Sequence, residues 1–235
     1  MARNPAMIWD GLANRENLAA LVRTASSPHP YQRELKGLID DLYVEPSTII
    51  EAGSYTGVTS FLLDDRFAKT VFDANPAALE LSERLFRYHG KSATFVTGDM
   101  FRMPFPDRSF DIVFNCCVFE HFLFADRVAA LREYGRILKP SGNIIIAYPN
   151  YFSLPYRIGS YLSGKQRPTS QERGLITLRS EIKDAGLRFR ESRLLDYITP
   201  LQMVRRVEIL GRPLKYLFKW IGFQGYLRVV IVRKP

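Results

Sequence analysis

From Thr48 to Asn150 the chain repeats one pattern: a short apolar run rich in β-branched residues, a turn, then a stretch with helical apolar spacing. The runs TIIEAG, KTVFDA, ATFVTGD, FDIVFNC and GNIIIAYPN are interleaved with GVTSFLLDD, NPAALELSERLFRYHG and DRVAALREYGRILKP. Near-continuous apolar strands separated by amphipathic helices bury both of their faces in a parallel sheet covered by helices on each side. The expected fold class is therefore α/β. Local punctuation agrees with these cuts: Asn75-Pro76 supplies a helix cap and a proline at the first helical position, and Gly90 follows the end of the same helix.

The flanks obey different rules. Residues 1–30 read as a helical arm or lid ending in SSPHPY, whose prolines break it before the helix YQRELKGLIDDLY opens the main domain at 31–235. After Asn150 the rhythm changes to a Tyr-, Arg-, Ser- and Gly-rich lid at 149–174. A helix LITLRSEIKDAGL, a strand RFRESRLLDY, a basic aromatic insertion at 199–225 and a last strand YLRVVIVRK follow. A length of 235 residues suits one well-buried core with additions rather than two full domains. No stretch approaches the roughly 18 unbroken apolar residues of a spanning helix, and MARNPAMIWDGLANRE lacks the apolar centre of a signal peptide, so a cytoplasmic protein is expected. The two cysteines, Cys116 and Cys117, are adjacent in an apolar run. They read as small buried residues at a strand end, with neither a disulfide framework nor a metal site in prospect.

The stretch TIIEAGSYTGVTSFL places Glu51, Gly53 and Gly57 where a strand gives way to a helix. Glycine admits backbone angles other residues avoid and lets a ligand approach the main chain, while the helix N-terminus offers unpaired N–H groups. Glu51, Asp73 and Asp99 each follow a strand. In an open parallel sheet such ends face one crevice, so three acids there can converge on one pocket. A dinucleotide is the first competitor, since Asp73 lies about 20 residues past the turn. The GxGxxG fingerprint is absent, however, and Glu51 would repel a pyrophosphate while accepting a cation such as an amino group.

On these motifs the chain resembles the class I S-adenosylmethionine-dependent methyltransferases, in particular the type 11 group, over residues 31–150 and in the final strand. The most specific likeness lies in TGDMFRMPFPDRSFDIVF, running through CCVFEHF to LREYGRILKPSGNIIIAYPN. The resemblance implies a Rossmann-like, seven-stranded, mostly parallel sheet with an antiparallel last strand. It implies S-adenosyl-L-methionine as cofactor and S-adenosyl-L-homocysteine as product. The cofactor's amino acid part would lie over the backbone of Gly53, Ser54, Tyr55 and Gly57 with its ammonium facing Glu51. Asp73 would hold the ribose, Asp99 the adenine amino group, and Ala74 and Met100 the base; Asn115 and Cys116 would lie against the cofactor. Tyr55 departs from the family, which has a glycine there.

Methyl transfer from a sulfonium mainly requires alignment, and a base matters where the nucleophile carries a proton. After the fourth strand His121 is the first base candidate and Glu120 the second. His29 sits in the proline-rich hinge and reads as a structural or lid residue, and His89 at a helix end is accounted for by the helix dipole. Tyr31, Tyr148, Asn150, Tyr151 and Arg157 are the expected acceptor contacts. Tyrosines beside arginines suit a small acceptor that is anionic or lipid- or sugar-linked, with oxygen as the methylated atom.

Lys and Arg number 17 against 6 Asp and Glu after residue 150, and 16 against 18 before it. The basic character thus belongs to the last third, and such asymmetry points to an anionic partner. In 199–225, Leu214, Leu217, Phe218 and Ile221 share helical spacing beside Lys215, Lys219 and Trp220. This segment is open to three readings: a helix docked on the sheet, peripheral contact with the inner membrane surface, or a dimer contact. Two further functions stay open: modification of RNA or protein through the basic third, and a non-catalytic binding subunit in which Tyr55 blocks the site. No RNA-binding module appears, and NCCVF stands where a base-modifying motif would follow strand four.

Overall fold

The structure, a computed structural model, describes residues 17–153, 174–197 and 225–235. The expected strand and helix alternation is present. In chain order the elements are α1 (Leu18–Ser26), α2 (Pro30–Leu42), β1 (Ser47–Ala52), α3 (Val58–Leu62), β2 (Phe67–Asp73), α4 (Pro76–Tyr88) and β3 (Thr94–Thr97). There follow β4 (Phe110–Cys116), a single 3-10 turn (Phe119–His121), α5 (Phe124–Ile137), β5 (Leu138–Pro149), α6 (Arg179–Asp184), β6 (Arg188–Leu195) and β7 (Leu227–Arg233).

The seven strands lie in the order β3-β2-β1-β4-β5-β7-β6. β1 pairs in parallel with β2 and β4, β2 with β3, and β4 with β5, while β7 runs antiparallel to both β5 and β6. This is the Rossmann-like sheet with an antiparallel last strand. Strand order reverses between β1 and β4, which fixes the crevice where ligands collect.

Successive side chains along a strand face opposite ways, and the sequence exploits this on both sides. Ile50, Val113, Ile144, Ile146 and Val230 meet Leu131, Tyr134 and Ile182 of α5 and α6. Ile49, Ile112, Phe114, Ile145 and Val229 meet Leu35, Leu38 and Ile39 of α2. A third cluster gathers Leu21 of α1, Phe61 of α3 and Leu85 of α4 around Val71, so α1 packs onto the domain.

Local chemistry sets the helix boundaries. Asn75 Oδ1 accepts from the N–H groups of Ala77 and Ala78 ahead of α4, and Gly90 takes φ 65° after it. Asn17 Oδ1 caps α1 through Ala20 N–H. At α2 Pro30 takes the first position, and the His29 N–H donates to Gln32 Oε1. Across the starts of β1, β4 and β5, Asp111 Oδ2 accepts from Thr48 N–H and Oγ1 and pairs with Lys139 at 2.8 Å.

Two boundaries differ from expectation. β5 begins at Leu138, ahead of GNIIIAYPN, because Leu138 pairs with Phe110 and a register shift before Ile112 absorbs the intervening residues. The helix expected over 175–187 is confined to Arg179–Asp184. Leu175 and Leu178 enter the core ahead of it, and Gly186 with φ 73° follows it. Among the described residues no helix is long and apolar enough to cross a membrane. Most of the 149–174 lid, the 199–224 stretch of the basic insertion and residues 1–16 of the arm lie outside the described residues.

Candidate active site

A cavity of about 440 Å³ opens at the carboxyl ends of β1, β2 and β4 and is roofed by the α1–α2 corner. It brings together most of the expected cofactor residues: Glu51, Gly53, Ser54, Tyr55 and Asp73, with Ala74, Asp99, Met100 and Cys116. The acids arrive as anticipated, one from the end of β1, one from the end of β2 and one just past β3.

Glu51 is 3% exposed. Its Oε2 accepts from the Ser60 N–H at 2.9 Å and the Ser60 hydroxyl at 2.5 Å, which ties β1 to α3. Burial lifts its carboxyl from 4.5 to about 7, against the opposing pull of the Ser60 hydrogen bonds. A carboxyl that is harder to ionise in the fold than in the unfolded chain supports stability fully below its unfolded value and loses that support as pH rises to about 7. The ligand-free protein is therefore expected to lose stability between about pH 4.5 and 7, and Glu51→Gln to flatten that slope in urea titrations run across the range. An unchanged slope in the variant would assign it to other groups.

Asp73 organises the turn. Its Oδ2 accepts from the Tyr55 N–H at 2.7 Å and its Oδ1 from the Asn75 N–H at 2.9 Å. Each carboxylate oxygen keeps further acceptor capacity for a ligand hydroxyl. Tyr55 takes φ 50°, between Gly53 at 74° and Gly57 at 63°. The tyrosine thus adopts the left-handed backbone that a glycine would supply, at a cost of roughly 1–2 kcal/mol. A Cβ on Gly53 would stand 3.1 Å from the Met100 Cε and 3.1 Å from a Val118 methyl. The turn is therefore overlain by apolar groups from two other loops.

Other expected residues fall elsewhere. Gly57 faces Ser82 and Val71 rather than the cavity. Asn115 is fully buried on the α5 side, its Nδ2 donating to the Tyr134 hydroxyl at 3.2 Å, because strand alternation sends it opposite to Cys116. The base candidates separate in the 3-10 turn: His121 lines the cavity, while Glu120 is buried outside that wall. Burial holds the His121 imidazole below its ordinary value.

Of the acceptor candidates, Tyr31 reaches the cavity, stacked on His29 with ring centroids 5.6 Å apart. Burial foremost, with the nearby thiols second, raises its phenol strongly. Tyr148 is buried under α5 and α6. Asn150 joins β5 to β7 by donating from Nδ2 to the Gly225 carbonyl, and Tyr151 packs edge-on against Phe152. None of these three lines the cavity, and Arg157 lies outside the described residues. In their place stand Leu21 and Thr24 from α1, Phe101, Cys117, Val118 and Phe122. The buried stripe of LAALVRTAS could have nominated Leu21; nothing local marks Val118 or Phe122.

A methyltransferase domain of the type 11 group matches residues 50–146. The demethylmenaquinone methyltransferase of Thermotoga maritima is 28% identical over 142 residues, 59% of this chain and 58% of that protein. The malonyl-[acyl-carrier protein] O-methyltransferase of Dechloromonas aromatica is 31% identical over 115 residues, 49% of this chain and 40% of that protein. The chain thus spans well under two thirds of the length of these relatives. Among solved structures, a chain in the complex of the Haloferax volcanii Trm112 methyltransferase activator with a methyltransferase superposes with a TM-score of 0.64 at 20% identity, covering 97% of this chain and 96% of that one. The matched domain lies at the centre of the sheet, so residues 50–146 are similar to the methyltransferase domain of the type 11 group, within a chain whose seven-stranded order is Rossmann-like.

Proposed function

We propose that the protein transfers a methyl group from S-adenosylmethionine to an oxygen of a small acceptor that is anionic or lipid- or sugar-linked. The observation that carries this reading is the meeting of Glu51, Asp73 and Asp99 with the Gly53–Tyr55 turn around one cavity of about 440 Å³, a size suited to a small-molecule cofactor. The residues present fit the cofactor. Asp73, already fixed by two backbone N–H groups, is placed for a ribose diol; Met100 and Phe101 beside Asp99 suit the base; Glu51 suits an amino group, whose positive charge would favour its ionised form.

When bound, the sulfonium supplies an already activated methyl carbon, so the protein's task is alignment and, at a hydroxyl, removal of one proton. His121 lines the same cavity with its imidazole biased toward the neutral form, and can accept that proton. Tyr31, Val118 and Phe122 give the wall an apolar and aromatic character that excludes water from the acceptor. The relatives' names support a small or carrier-borne acceptor, and the Dechloromonas protein's name specifies transfer to oxygen.

Thermal unfolding with S-adenosylmethionine and S-adenosylhomocysteine tests the cofactor. At about 100 times the dissociation constant a ligand contributes roughly 2.7 kcal/mol, which raises the midpoint by about 5–10 °C for a domain of this size. The shift should vanish in Asp73→Ala. Since that change also removes the partner of two backbone N–H groups, Asp73→Asn serves as the folded control and should show a reduced shift. Full affinity in both variants would overturn the assignment of Asp73. Absence of any shift in the parent protein would overturn the cofactor.

A further inference from the structure

Cys116 ends β4 and Cys117 follows it. Had the strand simply continued, alternation would have sent the two thiols to opposite faces. Instead Cys117 turns into the left-handed region with φ 60°, and its N–H donates to the Ala147 carbonyl at 2.8 Å, pinning the turn against β5. The two sulfurs consequently lie 3.8 Å apart, and both residues line the cavity. A left-handed cysteine costs on the order of 1–2 kcal/mol, and strain of this kind gathers at binding and catalytic sites. Tyr31 and both cysteines pack against the same apolar cluster, and both thiols are near enough to Tyr31 to influence its phenol, so they sit in an apolar corner with an aromatic neighbour.

We propose that Cys116 and Cys117 form a dithiol site for soft electrophiles with two exchangeable positions, specifically monosubstituted trivalent arsenicals. The balance is simple for an aryl arsenoxide. Two As–S bonds form, the As=O bond breaks, and the oxygen leaves as water with both thiol protons. No atom changes oxidation state, so neither oxidant nor reductant is required. Once one sulfur is bonded, the second is already in reach, which strengthens binding by about 10²–10⁴-fold over a single thiol. The aryl group would lie against Tyr31 and occupy the acceptor side of the cavity.

The chain has only two cysteines, which makes the test unambiguous. The reduced full chain is titrated with phenylarsine oxide and followed by intact mass and by thiol counting. The expected result is one adduct per chain, carrying the arsenical less one water, with both thiols lost together. It should resist excess mercaptoethanol and be removed by dimercaptopropanol. Cys116→Ser and Cys117→Ser should each weaken retention by about 100-fold or more in the presence of the monothiol. Cys117→Gly, which accepts the left-handed backbone, should do the same with the fold intact by thermal unfolding. An adduct stripped by mercaptoethanol, or one retained equally by the single-cysteine variants, would overturn the site. Neither readout involves methyl transfer, so the dithiol site and the methyltransferase reading fail separately.

Discussion

Replacing His121 with alanine is expected to cut turnover by about 10²–10⁴-fold while leaving affinity for S-adenosylmethionine within a few-fold. That range is what a positioned base contributes when a protonated nucleophile must be unmasked. His121 lines the cavity from the 3-10 turn after β4, whereas Asp73 lies at the end of β2 and the glycine turn follows β1, so on the proposed reading its loss is expected to affect turnover more than cofactor binding. Burial lowers its affinity for a proton. The imidazole is then neutral at pH 7, and the rate should be flat from neutral pH upward, falling only as pH drops through a value below the ordinary 6.5. The measurement is kcat against pH, for parent and variant, on the acceptor identified by a screen with isotopically labelled cofactor. Unchanged kcat in the variant would mean an acceptor whose nucleophile needs no base, such as an already ionised oxygen.

The second large effect concerns stability. Gly57→Ala is expected to destabilise the fold by roughly 2–5 kcal/mol, combining a left-handed backbone at φ 63° with overpacking. A Cβ there would stand 2.5 Å from Ser82 Oγ and 2.9 Å from a Val71 methyl, both fixed in the buried layer between β2 and α4. Gly90 is the internal control: it has nearly the same φ, 65°, with nothing within 4 Å of the site of a new Cβ. Gly90→Ala should therefore cost only the backbone share, leaving a difference of about 1–3 kcal/mol between the two variants. Denaturant unfolding of both measures it. Equal losses would show that Ser82 and Val71 yield to the extra methyl without penalty.

What could be read from the chain divides along physical lines. The alternation of TIIEAG, KTVFDA and FDIVFNC with amphipathic stretches carries its own period, so the parallel sheet and its two covered faces were legible. Glu51, Asp73 and Asp99 were legible as pocket residues because a strand end is a local feature and the crevice lies at strand ends by topology. Asn115 and Cys116 show where locality stops: adjacent residues on one strand must part, and only the packing of Tyr134 decides which of them turns from the cavity. Tyr148 and Asn150 were read as acceptor contacts since they lie at the end of the run GNIIIAYPN, beside the lid, yet β7 claims that strand end, a pairing made across more than seventy residues. Val118 and Phe122 enter the site from a short turn without periodicity, where composition carries no directional signal.

The placement of β7 between β5 and β6 also orders events in time. β6 is made before β7 but has no neighbour in the sheet until residues 227–233 slide in beside it. During synthesis β5 and β6 would each present an unsatisfied edge, and an open edge is a template for pairing with another chain. Pairings that span long stretches of sequence also form slowly. The growing polypeptide thus carries its greatest hazard of self-association just before its sheet closes, and the charged flank of β6, with Arg188, Arg190, Glu191 and Arg193, stands where a nascent chain most needs to repel its neighbours.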